Sequence, residues 1–247
     1  MKHVHWILQG KGGVGKTFTA FVLHQYFQAK GMEVMGVDTD VVNHSYAAYK
    51  QFNVHVLPLL KDEDLIDKEK FDAIVEMVST MPDSTCMVVD SGASTFYPAT
   101  KYLKQQEIPQ MFGEMGVRLM MHTVVTGGQA LQDTVDGLAL VMKFFPNVPI
   151  VVWLNHKDGV VKHDGKRFQE WDFYHESAKL IHAVIDLPER DESTFGKNLR
   201  ELLARNQTFE DALAPESELY LMVKHRLKIY WRDIFTVVDA AGLLEEA

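Results

Sequence analysis

Residues 10–17 read Gly10-Lys11-Gly12-Gly13-Val14-Gly15-Lys16-Thr17, the most informative segment of the chain. It satisfies the pattern G-x-x-x-x-G-K-[ST], which is typical of loops that bind the phosphates of a nucleotide. Because glycines lack Cβ, the backbone can curl with its N–H groups directed at a phosphate chain. Lys16 would place a cation between the β- and γ-phosphates, and Thr17 would offer its hydroxyl to Mg²⁺. We therefore predict that residues 10–17, together with Phe18, bind a nucleotide with Mg²⁺.

The residues on either side of this loop support the prediction. His3–Leu8 is a short apolar run typical of a strand, and Phe18–Phe27 has apolar residues at helical spacing. A loop between a strand and a helix would place the phosphates at a helix N-terminus, where the helix dipole favours anions. The alternative, a glycine-rich turn that matches by chance, does not account for this strand–loop–helix context.

Composition limits the class of protein. The 247 residues are 47% hydrophobic and carry a net charge of −9, with a sequence pI of about 5.6. A chain of this length can form one large α/β domain. Its acidity argues against a broad basic face, and hence against direct DNA binding, although it leaves room for a local basic patch.

Cysteine content and hydropathy indicate the compartment. Cys86 is the single cysteine, so no disulfide can form within the chain. The first residues read as strand and phosphate loop rather than as a signal peptide, and no apolar run reaches the length of a membrane-spanning helix. These features predict a cytoplasmic protein.

Runs typical of strands alternate with stretches at helical spacing along the chain. The predicted strands are His3–Leu8, Glu33–Asp38, Thr85–Asp90, Leu119–Val125, Ile150–Asn155 and Ala183–Leu187. The predicted helices are Phe18–Phe27, Phe71–Thr80, Gln129–Phe145 and Phe168–Leu180. Several strands are apolar on both faces, which indicates an α/β fold: a doubly wound, mainly parallel sheet with helices on both faces. We predict a single domain over residues 1–247, with a helical C-terminal segment from about residue 209.

Polar residues follow several predicted strands, at the edge of a parallel sheet where ligands collect. Asp38 and Asp40 come at the end of the second strand, and Asp90 ends the third after four apolar residues. The latter is the Walker B pattern, whose carboxylate holds Mg²⁺. Asn155 ends a later strand, and Pro188 follows the last one. Asp38, Asp40 and Asn155 could instead act as helix caps.

A second lysine extends the loop motif to K-G-G-V-G-K-T. With Lys11, the chain resembles the family of ATPases with a deviant phosphate loop, which includes the cell-division regulator MinD, the ParA partition ATPases and the nitrogenase iron protein. The resemblance implies Mg·ATP as the ligand, a homodimer that forms on ATP binding, and a Lys11 that reaches the nucleotide of the other subunit. The residue alone also allows a solvated lysine on a loop.

The same resemblance implies roles at the strand ends. Asp40 would orient the attacking water, Asn155 would hydrogen-bond the adenine, and Pro188 would flank the base. The family often has proline where Val41 stands, so the match departs there. The predicted catalytic residues are Lys11, Lys16 and Asp40. The predicted Mg²⁺ ligands are Thr17 and Asp90.

Longer blocks resemble a family of conjugal-transfer proteins of broad-host-range plasmids. They lie in order along most of the chain and comprise Leu8–Lys16, Val37–Asp40, Met121–Leu131, Val151–Asn155 and Arg226–Ile229. The third block contains T-V-V-T-G-G-Q-A-L, which is not a general ATPase motif and is therefore the most specific of them. The resemblance implies a role in DNA transfer between bacteria, with other conjugation proteins as partners.

The sequence therefore predicts a slowly hydrolysing, dimerising Mg·ATP switch that serves conjugative transfer. One alternative, to which Val41 points, is a nucleotide-binding scaffold that hydrolyses little and acts through partner binding. A synthetase that activates a small carboxylate would need a further pocket, for which we find no convergent residues. Membrane docking through the amphipathic segment Lys224–Asp239 is a third alternative, but the acidic C-terminus favours packing of that segment on the core.

Overall fold

The computed structural model describes residues 1–40, 43–62 and 65–245, so that Val41 lies outside the described residues. Its strands are β1 Lys2–Ile7, β2 Glu33–Asp38, β3 Val54–Val56, β4 Leu60–Asp62, β5 Leu65–Ile66, β6 Thr85–Asp90, β7 Val117–Thr126, β8 Ile150–Asn155, β9 Lys162–His163, β10 Lys166–Arg167 and β11 Ile181–Asp186. Its α-helices are α1 Lys16–Ala29, α2 Lys68–Thr80, α3 Phe96–Gln105, α4 Ile108–Glu114, α5 Leu131–Phe144, α6 Asp172–Ser177, α7 Lys197–Ala204, α8 Phe209–Leu213 and α9 Leu221–Asp239.

Seven strands form one parallel sheet in the order β11-β8-β7-β1-β6-β2-β3. In its register Asp90 at the end of β6 lies beside Ile7 of β1 and Asp38 of β2. Because parallel strands end at the same edge, the loops that follow β1, β2, β6 and β8 meet there. The predicted α/β fold, with a parallel sheet between two layers of helices, is confirmed.

Helices cover both faces because the central strands are apolar on both sides. On β1, Val4 and Trp6 belong to the core layer that includes α2, α3, α4 and α5. Ile7 belongs to the opposite layer, which includes α1, α8 and α9. All three side chains are fully buried. Removing apolar surface from water contributes about 25 cal/mol per Å², so these two layers are the main source of stability for the sheet.

The structure differs from the sequence prediction at several elements. The helix predicted over Phe168–Leu180 is a 3₁₀ turn followed by the six-residue α6, because Trp171 between them is extended at φ −81° and ψ 143°. Helix α2 begins before the predicted Phe71, since the carboxylate of Asp67 accepts the N–H of Lys70 at 3.4 Å and caps it. Strand β3 and the hairpins β4–β5 and β9–β10 were not predicted, because two or three residues are too short to show a period.

The last two helices of the described chain are α8 and α9. Helices α8 and α9 pack on the layer that includes α1, and α9 buries Leu227, Ile234 and Val238 there. This is the core packing that the sequence favoured over a membrane contact. Within the described part of the chain, no helix combines the length and the hydropathy needed to cross a membrane.

Several histidines are buried, and two of them form a chain of hydrogen bonds. The indole of Trp153 donates to Nδ1 of His122 at 2.9 Å, and Nε2 of His122 lies 2.9 Å from Nδ1 of His5. Since indole N–H only donates, neutral His122 carries its proton on Nε2 and donates it to His5. Nδ1 of His24 lies within hydrogen-bond distance of the hydroxyl of Tyr46, at 2.6 Å. Burial lowers the pKa of both His122 and His24 to about 3.

These shifts predict that the buried histidines make the fold sensitive to acid. A folded-state pKa near 3 lies below the ordinary histidine pKa of 6.5. The unfolded chain therefore takes up the proton first, and the free energy of unfolding falls as the pH drops below about 6.5. Each such histidine accounts for a loss of about 1.4 kcal/mol between pH 7.5 and 5.5.

Urea unfolding of His24→Asn at the two pH values measures this effect. We expect the variant to be less stable at pH 7.5 but to lose about 1.4 kcal/mol less than wild type on acidification. The raised pKa of Asp90 acts in the opposite direction, but it is common to both proteins and cancels. His163, which is exposed, provides the control: His163→Asn should keep the wild-type difference. An unchanged pH difference for His24→Asn would contradict the assignment.

Candidate functional site

The phosphate loop turns sharply between β1 and α1. Gly13 and Gly15 have φ of +72° and +109°, in the left-handed region that residues with a Cβ rarely adopt. A Cβ on Gly15 would also lie 2.5 Å from Nδ2 of Asn155. Helix α1 begins at Lys16, the next residue. The loop therefore leads directly into a helix N-terminus, where an anion is favoured.

Lys16 lies over the loop that precedes it. Its side chain is mostly buried, and its ammonium donates to the carbonyl oxygen of Lys11 at 2.9 Å. Burial lowers the pKa of Lys16, and the carboxylates of Asp90 and Asp40 partly oppose that shift. A phosphate oxygen could therefore take the place of the Lys11 carbonyl oxygen as the acceptor for the Lys16 ammonium.

Thr17 and Asp90 come together as the metal prediction requires. Thr17 Oγ1 donates to Asp90 Oδ2 at 2.7 Å. Burial raises the pKa of the Asp90 carboxyl to about 7, although the bond from Thr17 and the charge of Lys16 oppose the shift. The other oxygen, Oδ1, is buried and has no hydrogen-bond partner among the residues that the structure describes. A hydroxyl beside a carboxylate with an unpaired oxygen fits Mg²⁺, which prefers oxygen ligands and keeps several waters.

Asp38 and Asp40 have different surroundings after β2. Fully buried Asp38 accepts the backbone N–H groups of Asp40, Tyr46 and Ala47, each at 3.1 Å. Burial still raises the pKa of the Asp38 carboxyl. Asp40 is partly exposed and packs against Gly92, where a Cβ would lie 2.9 Å from its Cγ. Asp38 therefore holds the loop, and Asp40 is the carboxylate that the loop presents to the phosphate cleft.

Two clefts adjoin at the carboxyl edge of the sheet. Their linings have in common Gly13, Gly15 and Phe18. The phosphate cleft, of about 550 Å³, is further lined by Gly12, Lys16, Thr17 and Asp40. The base cleft, of about 560 Å³, reaches Asn155 and Pro188. The structure therefore brings Lys16, Thr17 and Asp40 to one concave surface and Asn155 and Pro188 to the adjoining one, while Asp90 lies outside both linings.

Asn155 is engaged by the chain itself. Its Nδ2 donates to the carbonyl oxygen of Val14 in the phosphate loop at 2.9 Å. Its Oδ1 accepts the N–H of Lys157 at 3.2 Å and caps the 3₁₀ turn His156–Asp158. The helix-cap role that the sequence left open is thus present, and the contact with adenine stays a prediction.

Three of the predicted loop residues lie outside the linings of both clefts. Gly10 packs on Phe96, since a Cβ would lie 2.8 Å from that ring. Val14 is buried in the core layer beside α1. Lys11 is half-exposed, and its ammonium forms an ion pair with Asp133 of α5 at 2.7 Å. The charge of Lys11 is therefore directed away from the neighbouring clefts, and its action across a dimer stays a prediction.

Sequence analysis missed several residues that complete the clefts. The phosphate cleft also takes Asn43, Ser45, Ser91, Ala93 and Ser94, which follow the predicted ends of β2 and β6. Their position directly after those strands was the available signal. The base cleft also takes Arg190, Phe195 and Tyr230. These three belong to no motif. Arg190 follows Pro188 by two residues, whereas Tyr230 reaches the site only because helix α9 packs there.

A further cleft, of about 800 Å³, opens at the opposite edge of the sheet. Lys104, Arg118, Phe144 and Pro149 are among its lining residues. It is larger than either cleft beside the phosphate loop, but none of the predicted site residues lines it. Size alone therefore does not identify the functional site, and the motif residues do.

Comparison with known proteins agrees with the geometry. Residues 6–223 match the family described as "CobQ/CobB/MinD/ParA nucleotide binding domain". Two relatives from Escherichia coli, both named "Protein TraL", are each 40% identical over 245 residues, which cover 99% of this chain and 100% of the relative.

Solved structures show the same fold at low identity. The MinC:MinD cell division protein complex of Aquifex aeolicus contains a chain that is 18% identical, with a TM-score of 0.52, over 99% of this chain and 97% of that one. A plasmid partition protein of Borrelia burgdorferi B31, bound to AMPPNP, is 13% identical with a TM-score of 0.52, over 97% and 99% of the two chains.

The geometry of the loop predicts that Gly15→Ala abolishes nucleotide binding. The new Cβ would meet both the left-handed backbone and the amide of Asn155. Gly31→Ala is the matched control, because Gly31 also has a positive φ of +79° but a Cβ there would meet none of the described residues within 4 Å. We expect both variants to lose about 1 kcal/mol or more of stability, and calorimetry to show nucleotide binding for Gly31→Ala alone. Equal affinities in the two variants would contradict the assigned loop geometry.

Proposed function

The chain belongs to the CobQ/CobB/MinD/ParA nucleotide-binding family, and on this premise we propose that it is a Mg·ATP-dependent, dimerising ATPase that serves conjugative transfer of plasmid DNA. The observation that carries the proposal is the pairing of Thr17 with Asp90 at 2.7 Å, beside the buried Lys16. These three groups are the hydroxyl, the carboxylate and the cation that phosphate-loop enzymes use.

The two clefts support binding of ATP. The loop amides and Lys16 would hold the β- and γ-phosphates, while the base would lie in the cleft that Asn155 and Pro188 line. Thr17 and Asp90 would hold Mg²⁺, which neutralises charge on the phosphates when bound. Among the described residues, Oδ1 of Asp90 is buried without a hydrogen-bond partner. This supports the assignment, because a buried carboxylate oxygen without a donor is costly in the absence of a cation.

Hydrolysis is assigned to Asp40. Its carboxylate lines the phosphate cleft, and the loop that carries it is held by the hydrogen bonds of Asp38 and by contact with Gly92. A fixed carboxylate at this place could orient a water for attack on the γ-phosphate. Support for slow turnover comes from the family resemblance and not from these contacts.

Dimerisation is assigned to Lys11. Its ammonium faces Asp133 rather than the clefts of its own subunit, so that it adds little to nucleotide binding in the monomer. An exposed ion pair contributes about 0–1 kcal/mol, and Lys11 can therefore leave Asp133 at low cost. Across a dimer, two such lysines would offset the repulsion between two anionic nucleotides that face each other.

The role in conjugation rests on similarity to the TraL proteins over nearly the whole chain. A mating assay tests it: transfer of a plasmid that lacks this gene should be restored by the wild-type chain and not by Lys16→Ala. Restoration by Lys16→Ala would separate the transfer role from nucleotide binding.

ATP turnover is the first test of the activity itself. We expect purified wild type to hydrolyse ATP slowly and Lys16→Ala to bind no ATP, because the phosphates lose their main cation. Asp40→Ala should bind ATP within a factor of about 3 of wild type but turn over at least ~100-fold more slowly. If Asp40→Ala hydrolyses at the wild-type rate, its carboxylate only shapes the loop. Wild type that binds ATP and dimerises without turnover would favour the scaffold alternative.

Analytical ultracentrifugation with a non-hydrolysable ATP analogue tests the role of Lys11. Wild type should dimerise under saturating nucleotide, and Lys11→Ala should bind ATP nearly as tightly but remain monomeric. The reason is that Lys16 and the loop amides provide the contacts within one subunit. Lys11→Ala that still dimerises would remove Lys11 from the interface, and loss of ATP binding in this variant would show that the lysine acts within its own subunit.

A further inference from the structure

Gln9, the residue before the phosphate loop, is fully buried and hydrogen-bonds two elements of the structure. Its Nε2 lies 2.9 Å from the carbonyl oxygen of Val124 on β7 and 3.0 Å from that of Thr134 on α5. A third contact, to the hydroxyl of Thr123, is longer at 3.3 Å. Because an amide nitrogen carries two protons, the two carbonyl oxygens account for both of them. Gln9 thus joins the start of the loop to β7 and α5.

Helix α5 has a glycine, Gly137, at the point where the side-chain amide of Gln9 packs against it. A Cβ on Gly137 would come within 2.1 Å of Oε1 of Gln9 and 2.8 Å of its Cδ. Glycine inside a helix is destabilising relative to alanine, so its presence here is explained by the close approach of Gln9. The amide therefore sets how near, and in which rotation, α5 packs beside the phosphate loop.

The position of α5 in turn determines the surroundings of Lys11. Asp133 lies four residues before Gly137 and so on the same face of the helix. It holds the ammonium of Lys11 at 2.7 Å. Oε1 of Gln9 also accepts the backbone N–H of Lys11, at 3.4 Å. The contact between Gln9 and the N–H of Lys11 is long and weak. The packing of α5 beside β7 depends instead on the two shorter bonds of Gln9, one to each element. The backbone N–H of Lys11 thus contacts the Gln9 amide directly, and its ammonium depends on the same amide through the position of α5.

We propose that Gln9 is a positioning residue that acts through α5: it keeps Asp133, and with it Lys11, at the place beside the loop from which Lys11 leaves for the nucleotide of a second copy of the chain. The inference rests on the proposed function, because it requires Lys11 to act across an ATP-dependent dimer. Gln9 itself touches neither cleft lining, so its loss should change dimerisation much more than nucleotide affinity in the monomer.

Gln9→Met tests the proposal, because it keeps the approximate volume and removes the hydrogen bonds. Gln25→Met is the matched control: Gln25 is also buried, donates to the carbonyl oxygen of Phe21 at 3.1 Å, and accepts the N–H of Phe209 at 2.7 Å, away from the loop. We expect both variants to melt at lower temperature. Gln9→Met alone should weaken the ATP-dependent dimer at least ~10-fold, with ATP affinity within a factor of about 3 of wild type.

Gly137→Ala is the second variant, and it displaces the amide without removing it. It should weaken the dimer in the same way, and it keeps the test decisive where Gln9→Met does not fold. Dimerisation at the wild-type level in the folded variants overturns the proposal. Loss of dimer and of ATP affinity in parallel also overturns it, because Gln9 would then serve only the stability of the site.

The same measurements separate this inference from the proposed function. Wild type that stays monomeric with nucleotide refutes both of them. Wild type that dimerises and loses the dimer on Lys11→Ala supports the proposed function, and an unaffected dimer in Gln9→Met then refutes the role of Gln9 alone.

Discussion

The turn of the backbone from β1 through the phosphate loop into α1 is the constraint on which the rest of the site depends. It requires positive φ at Gly13 and Gly15 and leaves no space for a Cβ on Gly15. β1 lies in the middle of a parallel sheet, so the loops after β2, β6 and β8 end beside it. One local conformation therefore determines where Asp40, Asp90 and Asn155 have to lie to meet a nucleotide.

The polar groups of this site are hydrogen-bonded or ion-paired within the chain. Lys16 donates to the carbonyl oxygen of Lys11, Thr17 to Asp90, and Asn155 to the carbonyl oxygen of Val14. Lys11 is held by Asp133. Each of these contacts satisfies a group that would otherwise be buried without a partner or left without a counter-charge. Binding of a nucleotide would thus exchange internal contacts for ligand contacts, which links occupation of the site to rearrangement of its loops.

Charge within the site is unevenly balanced. Asp38, Asp40 and Asp90 lie close enough that the first and second raise the pKa of the third, whose burial is the larger cause. Lys16 is the cation that opposes this shift. Asp38 is stabilised by three backbone N–H groups. An arrangement with more carboxylates than cations is suited to a ligand that arrives with its own divalent cation.

Elements whose signals are local could be predicted from the amino-acid sequence. The loop motif, the ends of β2, β6 and β8, and the apolar pattern of a parallel sheet all follow from residues adjacent in the chain. Contacts between distant groups became visible only in the folded chain. Residues far apart in sequence meet in three places. Lys11 pairs with Asp133, Gly137 leaves space for Gln9, and Tyr230 lines the base cleft with Asn155. No local period encodes such contacts, because they depend on the packing of whole helices against the sheet.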